Sequence, residues 1–206
     1  LGDVYKRQLP KIANDKGADM SKDFRKLIQE SVKQKQLHPE DIPSLDLYMD
    51  QVIALMSEHL GEDGEKEPLT RTMIHNYSKA GVISPIKGKK YSREQILQML
   101  AVYSLKNLLS ISQIKRILNG VEQSGAGEKG LENCFHTQLE RRANINAQLM
   151  DSIDAIVHDN DMKLGTPAAA MSVLLTIADL NNTLTSLASA ITQECFPELP
   201  DTKKKR

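Results

Sequence analysis

Nine cations stand against a single acid between Leu69 and Gly120: Arg71, Lys79, Lys87, Lys89, Lys90, Arg93, Lys106, Lys115 and Arg116 are opposed only by Glu94. The whole chain balances, with 27 basic and 27 acidic side chains over 206 residues, so the remainder is as acidic as this segment is basic. Much of the opposite charge lies between Glu40 and Glu67, where nine acids accompany one lysine. Such segregation suits a protein that offers one face to a polyanion and keeps the rest soluble. The residue types fit the same chemistry. Arg71 and Asn76 suit bidentate hydrogen bonds to guanine or adenine edges, and Lys79, Lys87, Lys89 and Lys90 suit phosphate oxygens.

Other chemistries find little support. Cys134 and Cys195 have no neighbouring cysteine or paired histidines, a pattern that matches no zinc or iron–sulfur spacing, and they read as buried free thiols. Asp151, Asp154 and His158 share one helix face, with Asp159 and Asp161 nearby, but no fourth ligand is evident. There is no phosphate-cradling glycine loop and no nucleophile signature. Neither catalysis nor a metal or cofactor is expected. The most apolar stretch, 168–191, is broken by Asp179, Asn181 and Asn182, short of the roughly 18 apolar residues a bilayer span needs. A reducing cytoplasm is the expected compartment.

The elements that must position the cations are helical. The first eight residues, LGDVYKRQ, lack Met, join no later pattern and read as a translated sequencing adapter; 9–20 read as a disordered lead-in. An N-terminal helix is expected within 21–43, with Phe24, Leu27, Ile28 and Val32 at helical spacing, ended by His38-Pro39-Glu40-Asp41-Ile42-Pro43. Ser44 is expected to cap the next helix, which stops at Gly61, and a short acidic linker follows. Thr70 caps a helix over 71–80 with Met73, Ile74 and Tyr77 on one stripe and Gly81 at its end. VISPIKGKKYS composes a tight hairpin. Ser92 and Gln95 form a capping box, Ser112 is expected to cap a short helix closed by Asn119-Gly120, and 121–130 reads as a linker. Residues 131–196 are expected to form a hairpin of two long helices, the second opened by Thr166-Pro167 and ending near Cys195, before a basic tail over 197–206.

The stretch LTRTMIHNYSKAGVISPIKGKKYSREQILQMLAVYSLKNLLSISQIKRIL resembles the DNA-binding domain of MerR-type regulators, through Thr70, Tyr77, Gly81, Val82-Ile83, Pro85, Tyr91-Ser92 and Ser112. More closely, residues about 40–120 resemble a bacterial family catalogued as domain of unknown function 1836, through IPSLDLYMDQVI, LTRTMIHNYSKAG and KKYSREQI. His75-Asn76-Tyr77 stands where many MerR proteins carry Arg-Tyr-Tyr, and the wing is shorter.

The resemblance implies a mainly α fold: a MerR-like winged helix–turn–helix over 44–120 with a small hairpin wing, followed by two long C-terminal helices. It implies a transcriptional regulator of double-stranded DNA, with helix 71–80 in the major groove. The expected contacts are Arg71, Thr72, His75, Asn76 and Lys79 on that helix, Lys87, Lys89 and Lys90 on the wing, and Arg93 at the next helix. The helix 166–195 carries only Asp179 and Glu194 as charges. A helix so uncharged is usually covered on more than one side, so a homodimer through the C-terminal helices is expected. The alternative is a non-catalytic protein-interaction module on the same scaffold. The sequence does not indicate an effector ligand.

Overall fold

The computed structural model describes residues 30, 35–60, 69–86, 88–125, 127–158 and 166–198; the side chains of 127, 143 and 153–158 fall outside that description. The expectations for 1–20, for most of the N-terminal helix, for Lys87 and for the tail from 199 onward therefore lie outside the described residues. What is described is mainly helical. After a 3-10 turn (Pro39–Asp41) come a two-residue strand β1 (Leu47–Tyr48), α1 (Met49–Leu60), α2 (Arg71–Lys79), a second short strand β2 (Lys90–Tyr91), α3 (Arg93–Leu105), α4 (Ile111–Gln123), α5 (Gly127–His158) and α6 (Pro167–Cys195).

The expected two-stranded ribbon is present, but its partner strand comes from elsewhere. β2 pairs antiparallel with β1, Leu47 opposite Tyr91 and Tyr48 opposite Lys90, and not with Val82–Ser84. Leu47 and Tyr48 are therefore not the first turn of a helix capped by Ser44. The Tyr48 amide is instead held by the Gln51 side chain at 2.9 Å, which lets α1 begin at Met49.

α3 is the centre of the domain. Every residue from Gln95 to Val102 is buried, so the helix meets protein on all its sides. Val52, Ile53 and Met56 of α1, Ile74 of α2, Ile114 and Leu118 of α4 and Leu131 of α5 pack around it in one apolar core. The Ser92–Gln95 capping box forms as its residues predict. Two buried glutamines on one face of α3 then fix the loop after α2. Ser84 N–H donates to Gln98 Oε1 at 2.8 Å, and Gln95 Nε2 donates to the Ser84 and Pro85 carbonyls at 2.9 and 3.0 Å. Buried amides fully paired in this way specify one position for the loop.

Three boundaries differ from expectation. The cap of α4 is Ser110, not Ser112: the Ser110 hydroxyl accepts from Gln113 N–H while its own amide donates to Gln113 Oε1. α4 also runs through Asn119-Gly120 to Gln123, and only residues 124–126 separate it from α5, so the 121–130 linker is largely helix. Gly120 is a packing glycine. A Cβ there would lie 2.6 Å from Phe196 Cδ1, just beyond the end of α6. Gly120→Val should loosen that junction and cost about 1–3 kcal/mol, read as a lower urea midpoint.

α6 opens as expected, with Thr166 Oγ1 accepting from Ala169 N–H and Pro167 in the first turn. Its last turns dock on α4. Gln113 Nε2 donates to Ser189 Oγ at 3.1 Å, and the Arg116 guanidinium donates to the Gln193 and Phe196 carbonyls, closing the helix end. Val173 is buried near the start of α6, but much of the helix's apolar surface is open. Met171, Leu174, Leu175, Ile177, Leu180, Leu184, Leu187 and Ile191 are all exposed, as are Ile145 and Leu149 on α5. Cys134 and Cys195 are free but exposed, so the buried-thiol reading is also corrected; each lies on a helix side turned to solvent. Among the described residues no helix is long and apolar enough to cross a membrane.

Candidate nucleic-acid interface

α2 is short and held firmly at both ends. Thr70 Oγ1 accepts from Met73 N–H at 3.2 Å at its start. At its finish Gly81, with φ +66°, allows a double closure: Gly81 N–H donates to the Ser78 carbonyl and Val82 N–H to the Tyr77 carbonyl. Ile74 is fully buried, and Met73 and Tyr77 pack half-buried against the core; burial pushes the Tyr77 phenol above its ordinary pKa. The remaining face carries Arg71, Thr72, His75, Asn76 and Lys79, and all five side chains are exposed. Their spacing of one and three puts them on one helical stripe about 12 Å long.

The loop cations lie on and before β2. Lys89 and Lys90 are exposed, and Lys90 Nζ lies 4.9 Å from the centre of the Tyr48 ring, its cross-strand partner. Two residues on, the Asp50 carboxylate forms an ion pair with Arg71. Tyr48 and Asp50 thus tie the loop and the start of α2 together. At the other end Lys115 Nζ donates to the Ala80 carbonyl at 2.7 Å, beside Lys79. Among the described residues Lys79 and Lys89 have no ion-pair partner. The Arg71–Asp50 pair is exposed on both sides, so separating it costs at most about 1 kcal/mol.

Other cations of the basic segment have structural duties. Arg93, expected on the nucleic acid, is 18% exposed; it donates to the Ile42 carbonyl, pairs with Glu132 at 2.5 Å and approaches Glu128 at 3.6 Å. It joins α3 to α5 and the 3-10 turn, and so drops out of the candidate contacts. Arg116 closes α6. Lys106 lies 4.6 Å over the Tyr103 ring, and burial lowers its pKa. Glu94, the segment's one acid, is held above the ordinary carboxylate range by burial and by Glu122 and Glu128. Among the described residues no acid, histidine or cysteine cluster could hold a metal; the side chains of Asp154 and His158, and Asp159 and Asp161 altogether, lie outside the description.

The structure therefore places Arg71, Thr72, His75, Asn76 and Lys79 on one exposed stripe, leaves Lys89 and Lys90 exposed on the loop, and brings Lys115 to the end of the stripe. It also shows roles the sequence did not indicate: Tyr48 and Asp50 orienting two of the cations, and Gln95, beyond its capping box, fixing the loop with Gln98. The last two had a signal, amides three apart within an otherwise apolar helix.

Residues 37–137 match the family model described as Domain of unknown function (DUF1836). The matched segment runs from the 3-10 turn into α5, so it contains both strands, the α3 core and the whole α2 stripe, and it leaves out α6. No curated protein and no solved structure matches the chain.

Proposed function

We propose that the protein is a DNA-binding transcriptional regulator built on a MerR-like winged helix–turn–helix. α2 enters the major groove, and Lys87, Lys89 and Lys90 meet flanking phosphates. The observation that carries this reading is the outer stripe of α2: five exposed polar or cationic side chains on a helix capped at both ends, with Lys115 at its C-terminal end. A groove about 12 Å wide admits such a helix, and Arg71 and Asn76 carry the donors and acceptors that base edges require.

A second copy would complete the reader. On α6, Ile177, Leu180, Leu184, Leu187 and Ile191 recur at alternating spacings of three and four, the period of a two-stranded coiled coil, and all are exposed in one subunit. Pairing along this seam buries them and sets two α2 helices at a fixed separation. The same apolar face favours the other reading, a protein-interaction module that binds no DNA.

Genome-wide capture of bound DNA, compared between the wild type and Arg71→Ala, separates the two. The regulator should enrich a short recurring sequence, and Arg71→Ala should relax one base position at a cost of about 1–3 kcal/mol in affinity for the preferred site. Capture without any recurring sequence, unchanged by the substitution, would favour the interaction module.

A further inference from the structure

Aromatic side chains are scarce in this chain: three Phe and five Tyr over 206 residues, with no Trp. Phe135, Phe196 and Tyr103 nevertheless line one cavity of about 800 Å³, where α3, α4 and α5 meet the end of α6. Its volume lies within the usual range for small-molecule sites. Leu37 and Leu131 in its wall are buried, while the two phenylalanines are half-buried and keep part of each ring open. Phe196 is held from behind. Gly120 of α4 leaves so little room that a Cβ there would lie 2.6 Å from Phe196 Cδ1, and Arg116 donates to the Phe196 carbonyl at 2.7 Å. A ring fixed in this way needs no ordering when a ligand arrives. The polar lining is already served. Lys35, Asn107 and Gln138 are exposed to water, the Ser104 hydroxyl donates to the Leu100 carbonyl, and Arg142 has a partner. A charge drawn down among the leucines and rings would exchange water for apolar wall, which is costly.

From this we infer that the cavity is a binding site for an uncharged polycyclic aromatic molecule, its rings lying against Phe135 and Phe196 and any polar substituent turned out to water. The site is distinct from the α2 stripe, and its existence does not depend on DNA binding. Burial of the ring surface supplies most of the affinity. Ring-on-ring contact adds about two- to tenfold beyond burial, which is what separates an aromatic ligand from a saturated one of the same shape.

The test is fluorescence titration of the full chain with N-phenyl-1-naphthylamine, an uncharged dye that brightens in apolar surroundings. Its counterpart, 8-anilinonaphthalene-1-sulfonate, has the same rings and one negative charge. The uncharged dye should bind one per subunit, at least about tenfold tighter than the sulfonate. In displacement of the dye, 2-naphthol should compete about two- to tenfold better than decahydro-2-naphthol, its saturated form. Phe135→Leu combined with Phe196→Leu should erase that difference. Leu139→Trp, which fills the chamber from its half-buried rim, should abolish dye binding while the helical circular dichroism stays unchanged. Leu184→Asp combined with Leu187→Asp, on the exposed face of α6, should leave dye binding as it is. Equal or tighter binding of the sulfonate would overturn the inference, and so would a saturated competitor as good as the aromatic one. Dye binding that survives Leu139→Trp, or is lost with the two α6 leucines, would place the dye outside the cavity and overturn it too. The absence of binding to the full chain would do the same.

Discussion

Leu184→Asp combined with Leu187→Asp should leave the chain monomeric. Both side chains are exposed in one subunit, so the substitutions disturb no packing within it, and the helical content should not change. In a symmetric pair each leucine passes from water into the seam. Full burial of a leucine contributes about 1.5–3 kcal/mol, so four lost across one dimer interface weaken it at least about a thousandfold, before the cost of bringing carboxylates into contact. Sedimentation velocity of wild type and variant reads this directly. The same variant should lose affinity for a duplex with two half-sites and keep it for a single half-site, because α2 itself is untouched. A wild type that sediments as a monomer at concentrations where the seam should pair would remove the dimer from the account and leave α6 to another partner.

Ile74→Ala should be the most costly single change on α2. Ile74 is fully enclosed and anchors the helix that carries the polar stripe. Truncating a buried isoleucine to alanine typically costs about 2–5 kcal/mol, a large part of what a domain of this size has in reserve. Urea denaturation should therefore show a clear fall in midpoint, and DNA binding should fall with it because α2 is no longer fixed. Asn76→Ala makes the informative contrast. Asn76 is exposed, so stability should stay within about 0.5 kcal/mol of the wild type. DNA affinity should still drop. A loss of binding without a loss of stability marks a contact rather than a scaffold residue.

Local chemistry was legible in the residues. Thr70, the Ser92–Gln95 box, Gly81 and Thr166-Pro167 each act within a turn of their own position, and the structure uses each as its type implies. The exposure of the α2 stripe follows from helical periodicity. What was not legible depends on partners far along the chain. Nothing near Leu47 announces that it will pair with Tyr91, so the strand read as helix. Arg93 and Arg116 look like Lys79 and Lys89, yet carbonyls at Ile42 and Phe196 claim them once the chain is folded. A cation's duty is set by the acceptors that tertiary structure brings to it, which composition does not record. Gly120 shows the same limit: it reads as a helix terminator and serves as space for a ring from α6. Nor does the uncharged surface of α6 say what covers it: most of its large apolar side chains are exposed in one subunit, while Val173 is buried.

On the proposed reading, the α2 stripe and the loop lysines form one surface lying along a duplex. Its most direct test is the salt dependence of binding to a mixed-sequence duplex, measured for the wild type and for Lys79→Ala with Lys89→Ala and Lys90→Ala. Each phosphate contact contributes about 0.9 to the slope of log affinity against log salt, so the variant's slope should be shallower by about 2.7. Affinity should fall for all sequences alike. Equal slopes for the two proteins, or a wild type whose weak binding hardly responds to salt, would contradict the account.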